Sequence, residues 1–376
     1  MRHQSAPRQD SRRRRRTGDG ATAPMVTDAM LRIPVEDLSG FSIQLLTHHG
    51  MSHEHAAVMT ANLMEADMRG IKTHGHWHLA RYCGLMRDGM INATPNLTVP
   101  RDSGATLVVD GDRAHGHVAG HFTMQAVIRR ARELGTAVGL TRNSMHYGAS
   151  AHFAIMALEH DMIGYAATNA GPSMFPFGGR DLVMGNNPIA YAIPAGREHP
   201  LVLDMAMSMS ANSRVSIMGR LGQPVPAGWI LDEYGQPTTD ASALDRGGAG
   251  VSIGGPKGIG LAQVVDALAG VLAGTAFGPD VFRPDKDGQL GPTGHIFHAI
   301  DIAPFMPVQE FKDRMDEQIR LLHEATRVEG VERIFVPGEM EWESFAEANL
   351  KGVPLLEVVV NDLNSLAVQV GMQQRL

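Results

Sequence analysis

The sequence has a single cysteine, Cys83, in 376 residues. That excludes an internal disulfide framework and a cysteine-based zinc site, and it fits a reducing compartment, so a cytoplasmic location is expected. No uncharged apolar run approaches the ~18 residues that a membrane-spanning helix needs. Positive charge is also in deficit, with 33 Lys and Arg against 40 Asp and Glu, for a net charge of −7. Even that figure hides an asymmetry. Residues 1–24 carry seven Arg and two Asp, about +5, so the remainder is near −12 (−7 minus +5). An acidic body of this kind does not suit a nucleic-acid surface. The basic segment, with five arginines from Arg12 to Arg16 and no apolar stretch after it, reads as a disordered extension over residues 1–29, with Met25 or Met30 a natural start.

Several motifs are missing as well. The dinucleotide fingerprint G-x-G-x-x-G, the P-loop, the G-x-S-x-G elbow and H-E-x-x-H do not occur. A standard Rossmann domain, a P-loop nucleotidase, an α/β-hydrolase and a zincin therefore lose their support. What remains is 43% hydrophobic, enough for a folded protein of two or three domains, with 18 His and 42 Gly.

Structure is expected to begin near Val35. Ser52 reads as the N-cap of a helix over His53–Met68, with Ala57, Ala61, Met64 and Met68 on one side. Ala105 to Asp110 reads as a strand, His117 to Leu134 as a helix and Thr136 to Thr141 as a second strand. A helix over Ala151–Glu159 and a strand over Ile163–Thr168 follow. Ile189–Ile193 and Leu201–Leu203 read as short strands, Ser208–Met218 as a helix, and PAGWILDEYGQPTTD as a long loop. His295–Ile300 alternates as a strand does. Val308–Thr326 is an amphipathic helix whose face at Phe311, Met315, Ile319 and Leu322 is expected to pack inward. The mixture indicates an α/β or α+β fold.

Four clusters carry residues suited to chemistry. The first runs from Gly70 to Tyr82 and holds His74, His76 and His78. On a strand these alternate imidazoles would share a face and could meet one metal, the basis of an alternative reading as a metal-dependent hydrolase. On a helix they would diverge, and the neighbouring Leu79, Ala80, Arg81 and Tyr82 favour a helix. The second, Asn143-Ser144-Met145-His146-Tyr147-Gly148, lies between a strand and a helix, where a His suits acid/base chemistry or simply caps the next helix. The third is rich in Gly, Pro and Asn from Phe175 to Gly179 and from Gly185 to Pro188, a constrained backbone able to line a cleft. The fourth, Gly254 to Gly260, opens a helix with Lys257 at its start, a place for an anion.

In this order and spacing the clusters resemble the malate/L-lactate dehydrogenase family of the second type. This NAD(P)-dependent family includes ureidoglycolate dehydrogenase, diketogulonate reductase and piperideine-2-carboxylate reductase. The resemblance runs from about Met30 to Leu366 through ADMRGIKTHG, NSMHYG, PFGGRDLVMGNNPIAYAIP, LDMAMS, GGPKGIGL and GHIFHAID. It implies a non-Rossmann nicotinamide-binding domain over 101–299 and a largely helical domain from 30–100 with 300–376. It also implies a homodimer, NAD or NADP as cofactor, and a small carboxylic acid as substrate.

By the same resemblance His146 is the catalytic acid/base that gives a proton to the substrate oxygen as hydride reaches carbon, or removes it in oxidation. His74 lies beside it, with Thr73 where Ser is usual, and Tyr82 belongs to the substrate side. Asp204, Met205 and Ala206, Lys257, Ala170, and Pro176, Gly178 and Asn187 take cofactor-binding or cleft-shaping positions. One departure stands out. The family places Arg four residues after the His of its S-H-G motif to hold the substrate carboxylate, and this chain has His78. Arg81, one turn later, is the candidate replacement. The departure also raises the alternative of a relative that binds ligand without turnover.

Overall fold

The computed structural model describes residues 29–376, and the expected basic extension lies almost wholly outside them. The chain begins β1 (Met30–Ile33), α1 (Val35–His48), α2 (His53–Met68), α3 (Leu79–Arg87), β2 (Thr98–Ser103), β3 (Thr106–Asp110), α4 (Gly116–Leu134) and β4 (Thr136–Ser144). It continues α5 (Ser150–Ile155), β5 (Met162–Thr168), β6 (Pro172–Met174), β7 (Met184–Gly185), β8 (Ile189–Ile193), β9 (Leu201–Met205) and α6 (Asn212–Arg220). The last part is β10 (Ile230–Leu231), β11 (Pro237–Thr238), β12 (Ala249–Gly250), α7 (Pro256–Asp266), β13 (Thr293–Asp301), α8 (Val308–His323), α9 (Glu339–Lys351), β14 (Val353–Leu356) and α10 (Glu357–Gln369).

A seven-stranded sheet in the order β2-β3-β4-β13-β5-β8-β9 forms the centre of an α/β fold. Only β3 and β4 pair in parallel, with α4 as their crossover, and every other neighbour in this sheet is antiparallel. A doubly wound dinucleotide fold needs successive parallel strands, so this topology agrees with the missing glycine fingerprint. Leu107, Val109, Ala166 and Phe297 bury one sheet face against Met124, Val127 and Ala131 of α4 and Phe153 of α5. Leu140, Ala167 and Ile296 bury the other against Val265 of α7 and Ala269 and Ala273 just beyond it. A second body packs α1, α2, α3 and α10 around Phe41, Leu45, Leu63, Tyr82 and Leu363. A small sheet ordered β11-β10-β12-β6-β7 lies beside the loops that follow β5 and β9.

Local chemistry explains the element ends. Ser52 Oγ accepts the His55 N–H at 3.1 Å and caps α2 as expected. Gly135, at φ 86°, ends α4 in the left-handed region. Several expectations need correction. A strand, β1, stands ahead of the start expected near Val35, because Met30–Ile33 pairs with Leu356–Val353, a partner more than 300 residues away. In α2, Ala61 is exposed and Ala57 only half-buried, while Ala56, Met59 and Leu63 are fully buried. The helix is covered on most of its girth, and its buried side is set by Ala56, Met59, Leu63 and Ala66. Leu322 is 47% exposed at the end of α8, where Ile319 and Asp316 face inward. Asp316 is there because its carboxylate accepts the N–H groups of Gly196, Arg197 and Glu198. The helix expected from Ser208 starts at Asn212, since Ser208 Oγ donates to the Ser210 carbonyl instead. The loop expected at PAGWILDEYGQPTTD contains the β10–β11 hairpin, turned by Asp232, whose Oδ1 accepts from Tyr234 and Gln236 N–H.

Candidate functional site

One wall of the site is the turn between α2 and α3. Asp67, in the last turn of α2, accepts the His76 N–H at 2.8 Å and meets His76 Nδ1 at 2.6 Å. The other ring nitrogen of His76 meets Ser42 Oγ at 2.8 Å. The carboxylate lies so close to the turn that a Cβ on Gly75 would fall 2.2 Å from it, which is why a glycine follows His74. This bracing sends the flanking imidazoles the other way. His74 Nδ1 is held by Thr73 Oγ1 at 2.8 Å, and His78 Nε2 reaches Ser213 Oγ on α6 at 3.2 Å. The three alternate histidines therefore do not converge, and the geometry for a shared metal is absent. Among the described residues no group of three His, Cys, Asp or Glu is arranged to hold one.

The other wall is the end of β4. The Met145 N–H donates to the Ala114 carbonyl, and the His146 carbonyl accepts the Gly116 N–H, which ties the loop to the start of α4. Met145 and Tyr147 are buried, so the residue between them faces the opposite way. Tyr147 stacks on His295 with ring centres 4.6 Å apart. His295 in turn bonds Thr168 Oγ1 on β5 at 2.7 Å and Ser144 Oγ on β4 at 2.9 Å. The loop that carries His146 is thus pinned to three strands.

The two walls meet at His146. Its Nδ1 lies 2.6 Å from the Tyr82 hydroxyl, and its ring stacks on His74 at 5.9 Å and stands edge-on to His78 at 5.6 Å. Loss of solvation, then the neighbouring imidazoles and Arg81, hold His146 well below the ordinary imidazole range. Burial lowers His74 to about 4, and burial with the His74 and Arg81 charges lowers His78 to about 3. Burial raises the Tyr82 hydroxyl, which stays protonated. At neutral pH the site is a cluster of uncharged rings.

A cleft of about 1250 Å³ opens in front of them, lined by Thr73, His74, Arg81 and His146 on one side. Ala170, Asp204, Met205 and Ala206 line it on the other. Asp204 accepts the Ala151 N–H at 2.8 Å, and burial raises its carboxyl to about 6. Asn187 is fully buried behind this surface. Its Oδ1 accepts the Ala170 N–H and its Nδ2 donates to the Ala262 carbonyl, so it shapes the wall rather than lining it. His78 and Tyr82 sit behind His74 and His146 in the same way. Lys257 is exposed in the first turn of α7, away from the cleft lining. Pro176 and Gly178 belong to a turn that lies against the same helix start, with the Phe177 ring 3.5 Å from a Cβ built on Gly255.

Sequence reasoning missed several lining groups. Arg69 is buried, stacked 3.8 Å over Trp342 and bonded through Nε to Glu65, yet it reaches the cleft. Ser213, Arg214 and Arg283 also line it. Arg69 could have been noticed inside ADMRGIKTHG. The others come from segments with no local motif.

A family model described as malate/L-lactate dehydrogenase matches residues 33–364. The chain is 34% identical to malate dehydrogenase of Pyrococcus horikoshii over 356 residues, 93% of this chain and 98% of that protein. It is 33% identical to L-sulfolactate dehydrogenase of Methanocaldococcus jannaschii, covering 88% and 94%. Among solved structures, the Pyrococcus horikoshii malate dehydrogenase superposes with a TM-score of 0.85 at 31% identity, covering 93% of this chain and 98% of that one. The Δ1-piperideine-2-carboxylate reductase of Pseudomonas syringae pv. tomato gives 0.80 at 28%, covering 90% and 100%. With these likenesses in agreement over most of its length, the chain belongs to the malate/L-lactate dehydrogenase family and is a dehydrogenase or reductase.

Proposed function

We propose that this enzyme moves a hydride between NAD or NADP and a small 2-hydroxy acid, with the 2-keto acid as its oxidised partner. The observation that carries the reading is His146, held through Nδ1 by Tyr82 at the mouth of a cleft large enough for two ligands. The cleft exceeds the roughly 300–1,000 Å³ of a pocket for one drug-sized molecule. Relatives named malate, L-sulfolactate and ureidoglycolate dehydrogenase support a hydroxy acid. A relative named for reduction of Δ1-pyrroline-2-carboxylate and Δ1-piperideine-2-carboxylate extends the class to a C=N bond beside a carboxylate.

The cleft fits a nicotinamide cofactor by its size, its small-residue wall at Ala170 and Ala206, and the cationic Arg214 and Arg283 on its rim. Asp204, Met205, Ala206 and Ala170 would hold it, with Asn187 bracing Ala170, and Pro176, Gly178 and Lys257 at its outer end. The cofactor supplies the hydride acceptor or donor. The proton belongs to His146. In oxidation the imidazole takes the substrate hydroxyl proton at Nε2, with Nδ1 held against the Tyr82 hydroxyl. In reduction the imidazolium returns the proton to the substrate oxygen. A bound carboxylate raises the proton affinity of His146 by charge attraction, so the imidazolium becomes accessible only with substrate in place. His74, oriented by Thr73, contacts the substrate beside it. Arg81 binds the carboxylate, because a neutral His78 supplies no charge.

In this reading residues 101–299 bind the cofactor, and 30–100 with 300–376 form the helical side. A cytoplasmic homodimer is part of the proposal, supported by an exposed apolar row at Leu261, Val264, Val271 and Leu272. Among the described residues no helix is long and apolar enough to cross a membrane. Titration with NADH and NADPH, followed by nicotinamide fluorescence, and turnover across a panel of 2-keto acids test the proposal. Binding of neither cofactor rejects it. Light scattering after size exclusion checks the dimer.

A further inference from the structure

A groove of about 400 Å³ runs between α4 and the α5 segment and shares no lining residue with the cleft. α4 contributes His121, Ile128, Arg129 and Arg132, which the helical repeat places on one face. His152 and Met156 come from α5 and its C-terminal end, and His160 from the turn before β5. Ile128 is buried and Met156 half-buried, so the floor is apolar, while Arg129 and Arg132 are exposed at the rim.

The charge at this rim is uncompensated. Arg130, on the same helix, is paired with Asp102. Arg129 has no acidic partner among the described residues, and the side-chain partner of Arg132 is the His160 ring at 3.1 Å. Glu159 is the one carboxylate of the lining, and it pairs with neither guanidinium. Two unpaired arginines on one concavity stand out in a chain with more Asp and Glu than Lys and Arg.

The imidazoles between them have fixed orientations. A guanidinium only donates, so Arg132 Nη2 donates to His160 Nδ1, and the His160 ring keeps its proton on Nε2. A carboxylate accepts, so His152 Nδ1 donates to Glu65 Oε2 at 2.5 Å, and Arg69 holds Glu65 from the other side. His121 stands beside His152 with a buried Nδ1 that has no partner. Buried polar atoms normally find one, so this nitrogen marks a place where a further group is accommodated. Solvated surface arginines would explain the charge alone. They do not explain a concavity with an apolar floor and imidazoles set in place by Arg132 and Glu65.

We propose that this groove binds a small phosphate monoester. Its phosphate lies between Arg129, Arg132 and the Nε2–H of His160, and its organic part covers Ile128 and Met156. Two guanidiniums and an N–H donor match a dianion with three acceptor oxygens. The volume lies within the roughly 300–1,000 Å³ of a small-molecule site and exceeds what a bare phosphate fills. The site takes no part in hydride transfer and stands or falls apart from the oxidoreductase reading.

Phenyl phosphate is the probe, titrated by calorimetry into the full chain with and without saturating nicotinamide cofactor. The double variant Arg129→Gln/Arg132→Gln changes only exposed side chains, and its melting temperature should match that of the wild type. Its affinity for phenyl phosphate should fall roughly tenfold or more, the worth of one charge-assisted bond or better. Inorganic phosphate should bind the wild type several-fold more weakly than phenyl phosphate does. Unchanged affinity in the double variant, equal affinity for the two phosphates, or binding that disappears once cofactor fills the cleft overturns the proposal. With ¹⁵N-labelled histidine, phenyl phosphate should shift the ring-nitrogen resonances of His160. Shifts confined to His74 and His146 place the probe in the cleft and overturn it as well. Light scattering after size exclusion should give the same mass for wild type and double variant, and a changed mass means that a second copy of the chain occupies the groove instead.

Discussion

Two sets of histidines sit within a few residues of each other and differ in what surrounds their nitrogens. His76 and His295 are buried and bonded on both sides, to Asp67 and Ser42 in one case and to Thr168 and Ser144 in the other. His74, His78 and His146 are half-buried and packed ring against ring, and His74 and His146 have a side-chain partner on one nitrogen only. The first set spends its hydrogen bonds on holding a turn and three strands in place. The second keeps a nitrogen free for something that arrives. Residue type is the same in both, so what separates the two sets is exposure and unused bonding capacity.

Removing a member of the second set should cost activity and little else. His146→Ala is expected to lower kcat by ~10²–10⁴ while cofactor fluorescence still reports binding. Removing a brace of the first set should cost stability as well. Asp67→Ala leaves the His76 N–H and ring without their acceptor, and urea unfolding should show a loss of about 3 kcal/mol. His74 would lose its placement, so kcat should fall in the same variant. If Asp67→Ala keeps full stability, the division between the two sets breaks down.

The pH dependence sharpens the comparison. Folded-state values of about 4 for His74 and about 3 for His78, His115 and His295 lie below the 6.5 of a free imidazole. The unfolded chain therefore takes up protons that the folded one refuses. Stability is greatest above pH 6.5 and falls as the pH drops from there toward 4 and then 3. Melting temperatures at pH 8 and pH 5 check this, and equal values would contradict it. The smallest change is expected from His78→Arg. A guanidinium added beside His146 should lower KM for a 2-keto acid roughly tenfold, the worth of one charge-assisted bond. An unchanged KM would mean that Arg81 already meets that need.

Much of the site was legible because its elements are local. The His146 loop sits between a strand and a helix, as its sequence indicates. The chain order of NSMHYG, LDMAMS and the surrounding segments pointed to the family and to the absence of a Rossmann domain. What was not legible depends on distant segments. Whether His74, His76 and His78 share a face is decided by Asp67 pressing on Gly75. Ser213 meets His78 across 135 residues, and Arg69 reaches the cleft because Trp342 props it. The buried place of His117 follows from the approach of α2 and the Gly148 turn to α4, which no periodicity announces. Lys257 shows the reverse case, since a Gly-rich helix start drew attention to a residue that the fold leaves exposed.

The pairing of β1 with β14 has a consequence for how the molecule is made. Met30 meets Leu356 and Ile33 meets Val353, so one of the earliest ordered segments to be synthesised waits for one of the latest. Closing a loop of that length carries an entropic cost that grows only slowly with length, but the partner must first exist. The β3–α4–β4 unit and the strands around it can assemble while the ribosome is still working. The turn that carries His74 and the helix that carries Tyr82 cannot be sealed until β14 and α10 emerge. During synthesis the protein therefore owns a sheet before it owns an active site, and interruption late in translation would yield a chain that is mostly folded and wholly inert.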